Sequence, residues 1–179
     1  MGILDIFHEF KGLKGAIKEA MDMERKHVEM DSQDVMDLND REFYDAIYQR
    51  LDSMVEEADD NVSVLNKKQL AYYLVYEFDA EMQNGGLCQY LCNSSGKNAT
   101  RIVRALQELS FDRTARLLRE FVRENDIDLN MFKGDVDYDL LLNQYDFDSF
   151  DDSYMELYEQ EQIHDNMVRF ARENYDSLL

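Results

Sequence analysis

Apolar residues recur three and four positions apart along most of the chain, the spacing that gathers them on one side of an α-helix. Ile3, Ile6, Phe7, Phe10, Leu13, Ile17 and Met21 predict an amphipathic first helix over residues 3 to 28, with Lys11, Lys14 and Lys18 among acids on its polar face. Phe43, Ile47, Leu51 and Val55 predict a second helix from Asp40 to Ala58, and Leu70, Tyr73, Leu74 and Glu77 a third from Asn66 to Met82. The aromatic run from Ala71 to Phe78 could pass for a strand, but its flanks carry the helical period and no turn residue interrupts it. Ile102, Val103, Leu106 and Leu109 mark another helix, and Ala115, Leu117, Leu118, Phe121 and Val122 one beginning near Ser110. Ser153-Tyr-Met-Glu156 reads as a capping box that starts a long last helix through Met155, Tyr158, Ile163, Met167, Phe170 and Tyr175.

The pattern breaks between residues 81 and 96. Asn84-Gly85-Gly86 and Asn93-Ser94-Ser95-Gly96 are turn signals, with a short helix carrying Gln89 and Tyr90 between them. The chain has no proline and only 7 glycines, so long helices are permitted elsewhere. The expected fold is all-α: a single compact multi-helix domain over residues 31–179, preceded by the N-terminal amphipathic helix in residues 1–30. That helix would pack on the body or on a partner, for instance as the contact of a homodimer.

Charge changes the picture more than composition does. The net charge is −20, and it is regional: residues 31–62 hold 11 acids against 2 bases, and residues 125–165 hold 13 against 1. The remainder is close to neutral and includes an Arg-rich stretch from Arg101 to Arg123. Dense carboxylates repel one another, yet they keep a protein soluble and speed its encounter with basic partners. Direct nucleic-acid binding and anionic membrane surfaces are disfavoured, because both are bound through Lys and Arg. Carboxylates three or four residues apart on a helix lie roughly 5 to 6 Å apart at Cβ, close to the phosphate spacing along a DNA strand. Asp31, Asp34, Asp37 and Asp40 recur every third residue, and Glu56, Glu57, Asp59 and Asp60 follow. In the second block Asp135, Asp137, Asp139, Asp146, Asp148, Asp151 and Asp152 are interleaved with Tyr138, Leu141, Leu142, Tyr145, Phe147 and Phe150, whose apolar side can pack while the acids face out.

Other chemistry finds little support. No apolar run reaches the roughly 20 residues that span a bilayer, no secretory signal opens the chain, and Ile6 breaks the myristoylation pattern; the expected location is the cytoplasm of a bacterium. Cys88 and Cys92 share one helical face but lack the ligands of a structural zinc site and read as buried thiols. Asp135-x-Asp137-x-Asp139 resembles a calcium loop, but Leu140 stands at the glycine position and Asp146 at the twelfth. Asp126-x-Asp128-x-Asn130 fails likewise at Met131. No phosphate loop, His-Glu-x-x-His or nucleophile elbow occurs, so neither an enzyme, nor a metal, nor another cofactor is expected.

The stretch Glu81-Met-Gln-Asn-Gly-Gly-Leu-Cys-Gln-Tyr-Leu-Cys-Asn-Ser-Ser-Gly96, with Ala105-Leu106-Gln-Glu-Leu109 and Phe150-Asp151-Asp152-Ser-Tyr-Met-Glu-Leu157, resembles the signature of a bacterial family of small helical proteins described by its acidic DNA-mimic members. The resemblance covers residues 65 to 178. Glu81, Asn84, Gly85, Gly86, Gln89, Tyr90, Asn93, Ser94 and Gly96 carry it, while Leu87 and Cys92 stand where aromatic residues are expected. It implies a protein-binding module of transcription regulation whose acidic surface competes with DNA for a basic DNA-binding protein such as a transcription factor. An immunity or antitoxin protein that neutralises a basic toxin or nuclease is the alternative. A third reading makes Glu81, Asn84, Gln89 and Asn93 a small-ligand or enzymatic pocket, although these residue types also suit turns that cap helix ends.

Overall fold

A computed structural model describes residues 27–133 and 136–179. The helix expected over residues 3–28 falls almost wholly outside them, as does Asp135. Among the described residues the regular structure is helical throughout: α1 Ser32–Met36, α2 Asp40–Glu56, α3 Lys67–Cys92, α4 Ala99–Glu108, α5 Asp112–Glu124, α6 Tyr138–Leu142, α7 Phe147–Glu161, α8 Ile163–Glu173 and α9 Tyr175–Leu178, with short 3-10 turns at Val62–Val64, Ser94–Asn98 and Leu129–Met131.

The core is organised around α3, which packs against α2, α4, α6, α7 and α9. It starts at Asn66, whose side chain accepts from Lys68 N and Gln69 N while Gln69 reaches back to the Asn66 backbone. The predicted inner face of α2 is the observed one: Phe43, Ile47 and Leu51 are fully buried, and Val55 nearly so. Tyr72, Phe78, Tyr90 and Tyr154 fill the centre, with Phe78 edge-on to both Tyr90 and Tyr154. Most of the buried Tyr hydroxyls have partners: Tyr72 donates to Tyr44 O (3.0 Å), whereas the Tyr90 hydroxyl has none among the described residues. Tyr154 donates to Asp79 Oδ1 (2.8 Å) and Tyr44 to Asp79 Oδ2 (3.1 Å), which gives the buried Asp79 carboxylate its acceptor role.

Three expectations are corrected. Ser153 does not start a helix: α7 begins at Phe147 under an Asp146 cap, and Ser153 lies within it, donating to Ser149 O (2.9 Å). Phe147, Phe150 and Tyr154 already supply a helical apolar stripe upstream of the box, and burying it carries the helix back past Ser153. Nor is the last helix continuous, since Gln162 is left-handed (φ 46°, ψ 53°) and separates α7 from α8, and Asn174 ends α8 before α9. Finally, Asn84-Gly85-Gly86 does not end α3. It kinks it, with non-helical backbone at Gly85 and Gly86, and the limb carrying Gln89 and Tyr90 runs on to Cys92.

Arg172 ties the N-terminal elements to the body. Its guanidinium donates to Met36 O and Leu38 O (3.0 Å each), pairs with Asp40 (2.8 Å) and stacks over the Phe43 ring (4.1 Å to its centre). Arg50 performs the same office for residues 27–30, donating to His27 O and Met30 O.

Candidate partner-binding surface

In the first acidic block the carboxylates divide into those the fold uses and those it leaves to solvent. Asp31 caps α1 through Oδ1, accepting from Gln33 N and Asp34 N (2.9 Å each). Asp37 closes α1 and accepts from Gln33 Nε2 (3.0 Å), and Asp40 opens α2 in its pair with Arg172. Asp31, Asp34, Asp37 and Asp40 therefore do not form one helical face: Leu38 and Asn39, the α2 cap, separate two helices. Asp34 is exposed. Glu56 and Glu57 end α2, and the chain leaves it through Asp59 and Asp60, both left-handed (φ 55° and 59°), a region Asp tolerates better than most residues. Glu56, Glu57, Asp59 and Asp60 are all exposed.

The second block divides in the same way. Asp137 caps α6, accepting from Leu140 N (2.9 Å), and Asp146 caps α7, accepting from Ser149 N (3.4 Å). Asp139 and Asp148 lie in the first turns of those helices, where the positive end of the helix dipole favours them. Asp152 is exposed. Asp128, in the failed calcium-like stretch, accepts from Asn130 N (3.0 Å) and Asn130 Nδ2 (2.8 Å), and these bonds lower its carboxyl pKa. The apolar residues of the block pack only in part. Leu141, Phe147 and Phe150 are buried, whereas Met131, Tyr138, Leu140 and Leu142 stand exposed among the acids.

Asp151 points inward. Its Oδ1 accepts from Leu87 N (2.9 Å) at the start of the second limb of α3, so α7 supplies the cap that the kink lacks. Burial raises its pKa, against the Leu87 bond that lowers it. Gly86 makes the approach feasible: its φ is +76°, and a Cβ there would lie 2.0 Å from Asp151 Oδ2. The sequence held a signal for this, because Asp151 shares the buried stripe of Phe147, Phe150 and Tyr154.

The signature residues are bonded to one another. Glu81 accepts from Gln89 Nε2 (2.7 Å), Asn93 Nδ2 (2.9 and 3.0 Å) and Ser95 Oγ (3.2 Å), drawing the two limbs of α3 and the following turn together. Gly96 sits where a Cβ would fall 2.3 Å from Leu91 O. Asn84 and Ser94 are exposed, and Tyr90 is buried in the core. Cys88 and Cys92 are buried and unbridged; burial pushes the Cys88 thiol up to about 12. Sequence reasoning also missed Glu161, which receives the N-terminus of α5 through Arg113 N, Thr114 N and Thr114 Oγ1.

Glu77 is a carboxyl group out of its element. Burial pushes its pKa up to about 7, with Asp52 adding in the same sense and Tyr73, Lys97 and Asn98 opposing, and its Oε2 has no hydrogen-bond partner. Burial likewise raises Asp52 and Asp79. A carboxyl whose pKa is higher folded than unfolded stabilises the fold below its unfolded pKa and loses that contribution as pH rises through the folded one. Stability should therefore fall between pH 5 and pH 8, and Glu77→Gln should flatten the fall and raise stability at pH 8. Urea unfolding of both proteins at the two pH values checks this; a wild-type stability that rises with pH would contradict it.

The family model described as DMP19-like protein matches residues 63–174, more than half of the chain. The chain belongs to the DMP19-like family. No curated protein and no solved structure matches it. In this DMP19-like chain the matched region contains the kinked α3, the Arg-bearing helices and the second acidic block, whereas the first block, residues 31–62, precedes it. No helix among the described residues is long and apolar enough to cross a membrane.

Proposed function

We propose that the protein acts by binding, presenting its acidic surface to the DNA-binding face of a basic protein such as a transcription factor and so competing with DNA. The observation that carries this reading is a group of exposed carboxylates with no partner among the described residues, which includes Asp34, Glu56, Glu57, Asp59 and Asp60 in the first block and Asp139, Asp148 and Asp152 in the second. Exposed acids that pair with no cation within the chain and repel one another work against the compact state. A cationic partner relieves that repulsion.

The resemblance to acidic DNA mimics and membership of the DMP19-like family support the same reading. The mechanism is occlusion: carboxylates fill the Arg and Lys sites that otherwise hold phosphates, each exposed pair adding little and the sum steering and orienting the complex. The exposed Tyr138, Leu140 and Leu142 beside Asp137 and Asp139 add apolar contact at the second block. The pocket reading of the signature is weakened by Glu81, whose two oxygens are already taken within the chain.

Affinity capture from a lysate at low and high salt, with and without duplex DNA, tests the proposal. A DNA-binding protein should be retained at low salt and released by either salt or duplex DNA. A basic toxin or nuclease that resists both would favour the immunity reading instead.

A further inference from the structure

We propose that the groove between α3 and α4 binds a small organic anion that joins a carboxylate or phosphate head to an apolar body. The groove has a volume of about 430 Å3, within the range of small-molecule sites. Its floor is apolar, formed by Leu70, Leu74 and Ala105, and its rim carries Lys67, Arg101 and Arg104. Glu108, the one acid of the lining, is held by Lys67 at 2.5 Å, so that pair contributes little net charge. Arg101 and Arg104 are exposed, lie one turn apart on α4 and have no ion-pair partner among the described residues.

Several arginines among the described residues have no ion pair, Arg113, Arg116 and Arg119 among them; Arg101 and Arg104 differ in that both line a concave surface with an apolar floor. An Arg pair is suited to fork onto the oxygens of a carboxylate or phosphate, and the floor suits a hydrocarbon or aromatic body beneath it. The occupant is small rather than an acidic protein or a second copy, because bringing another strongly negative body against this chain works against its whole field. This site is independent of the acidic surface and uses the opposite charge.

Titration of the full chain with octanoate and octyl phosphate, followed by calorimetry or ligand-observed NMR, tests the proposal. At least one of the two should bind with one-to-one stoichiometry, and the tighter of them identifies the head group. Inorganic phosphate, the head alone, and octanol, the body alone, should each bind much more weakly. Arg101→Gln and Arg104→Gln should each weaken binding by about tenfold. Arg116→Gln, the same charge change on an exposed part of α5 outside the groove, should leave it unaltered. Circular dichroism confirms that each variant is folded. Failure of both amphiphiles to bind at millimolar concentration overturns the proposal. So does equal binding of phosphate or octanol alone, or an Arg116→Gln loss as large as the groove variants show.

Discussion

Replacing Gly86 by alanine is expected to destabilise the fold by about 1.5 to 5 kcal/mol, the sum of a disallowed backbone region and a displaced cap. Gly86 has φ 76° and ψ −171°, a combination open essentially to glycine. Holding an alanine there costs about 1 to 3 kcal/mol. The new Cβ would in addition lie 2.0 Å from Asp151 Oδ2 and drive the carboxylate off Leu87 N. Loss of a side-chain cap at a helix start costs about 0.5 to 2 kcal/mol. Since a domain of this kind is held by only about 5 to 15 kcal/mol in all, the variant should unfold at a visibly lower urea concentration. The two effects can be separated. Asp151→Ala removes the cap alone, and in the double variant the clash has nothing left to strike, so the double should lose less than the sum of the singles. Additive losses in urea unfolding would show that the kink does not depend on the contact between α7 and α3.

Neutralising the free carboxylates should do the reverse, weakening partner binding about a hundredfold while leaving the fold intact. The changes are Asp34→Asn, Glu56→Gln, Glu57→Gln, Asp59→Asn and Asp60→Asn in the first block, with Asp139→Asn, Asp148→Asn and Asp152→Asn in the second. Exposed ion pairs are worth about 0.2 to 1 kcal/mol each, so eight of them at about 0.35 kcal/mol sum to roughly 2.8 kcal/mol, a hundredfold in affinity. Stability should hold because the terms offset. Asp34, Asp139 and Asp148 give up favourable positions in first turns, while Glu56 and Glu57 leave an unfavourable helix C-terminus, and Asn accepts the left-handed backbone of Asp59 and Asp60 as readily as Asp. Asp31, Asp137, Asp146 and Asp151 are left unchanged, because each caps a helix. The salt dependence of binding should flatten in step with affinity. Changing each block separately then assigns the surface: an unaltered affinity after both would remove the mimic account, and a loss confined to the second block would place recognition within the family-matched residues.

The helices themselves were readable in the chain because burying an apolar stripe is a local periodic demand. Phe43, Ile47, Leu51 and Val55 declare the inner face of α2 whatever packs on it, and an aromatic run from Ala71 to Phe78 without turn residues had no other regular structure to enter. Regional charge was equally legible, since it needs only counting. Helix ends were less so. Ser153 and Glu156 have the residue types of a capping box, but a box competes with any apolar stripe that continues through it, and burial of Phe147 and Phe150 outweighs one cap.

What only the tertiary structure decided is which carboxylates are free. Asp148, Asp151 and Asp152 look alike in the sequence, yet one lies in an exposed first turn, one caps a kink from another helix, and one faces water. Asp34 and Asp40 differ in the same way through Arg172, which is more than a hundred residues away in the chain. Charge is a property of a residue, and its pairing is a property of distance after folding. Composition and periodicity therefore determined an acidic, all-helical protein, while the packing of α7 and α8 against α2 and α3 determined which acids hold it together and which remain for a partner.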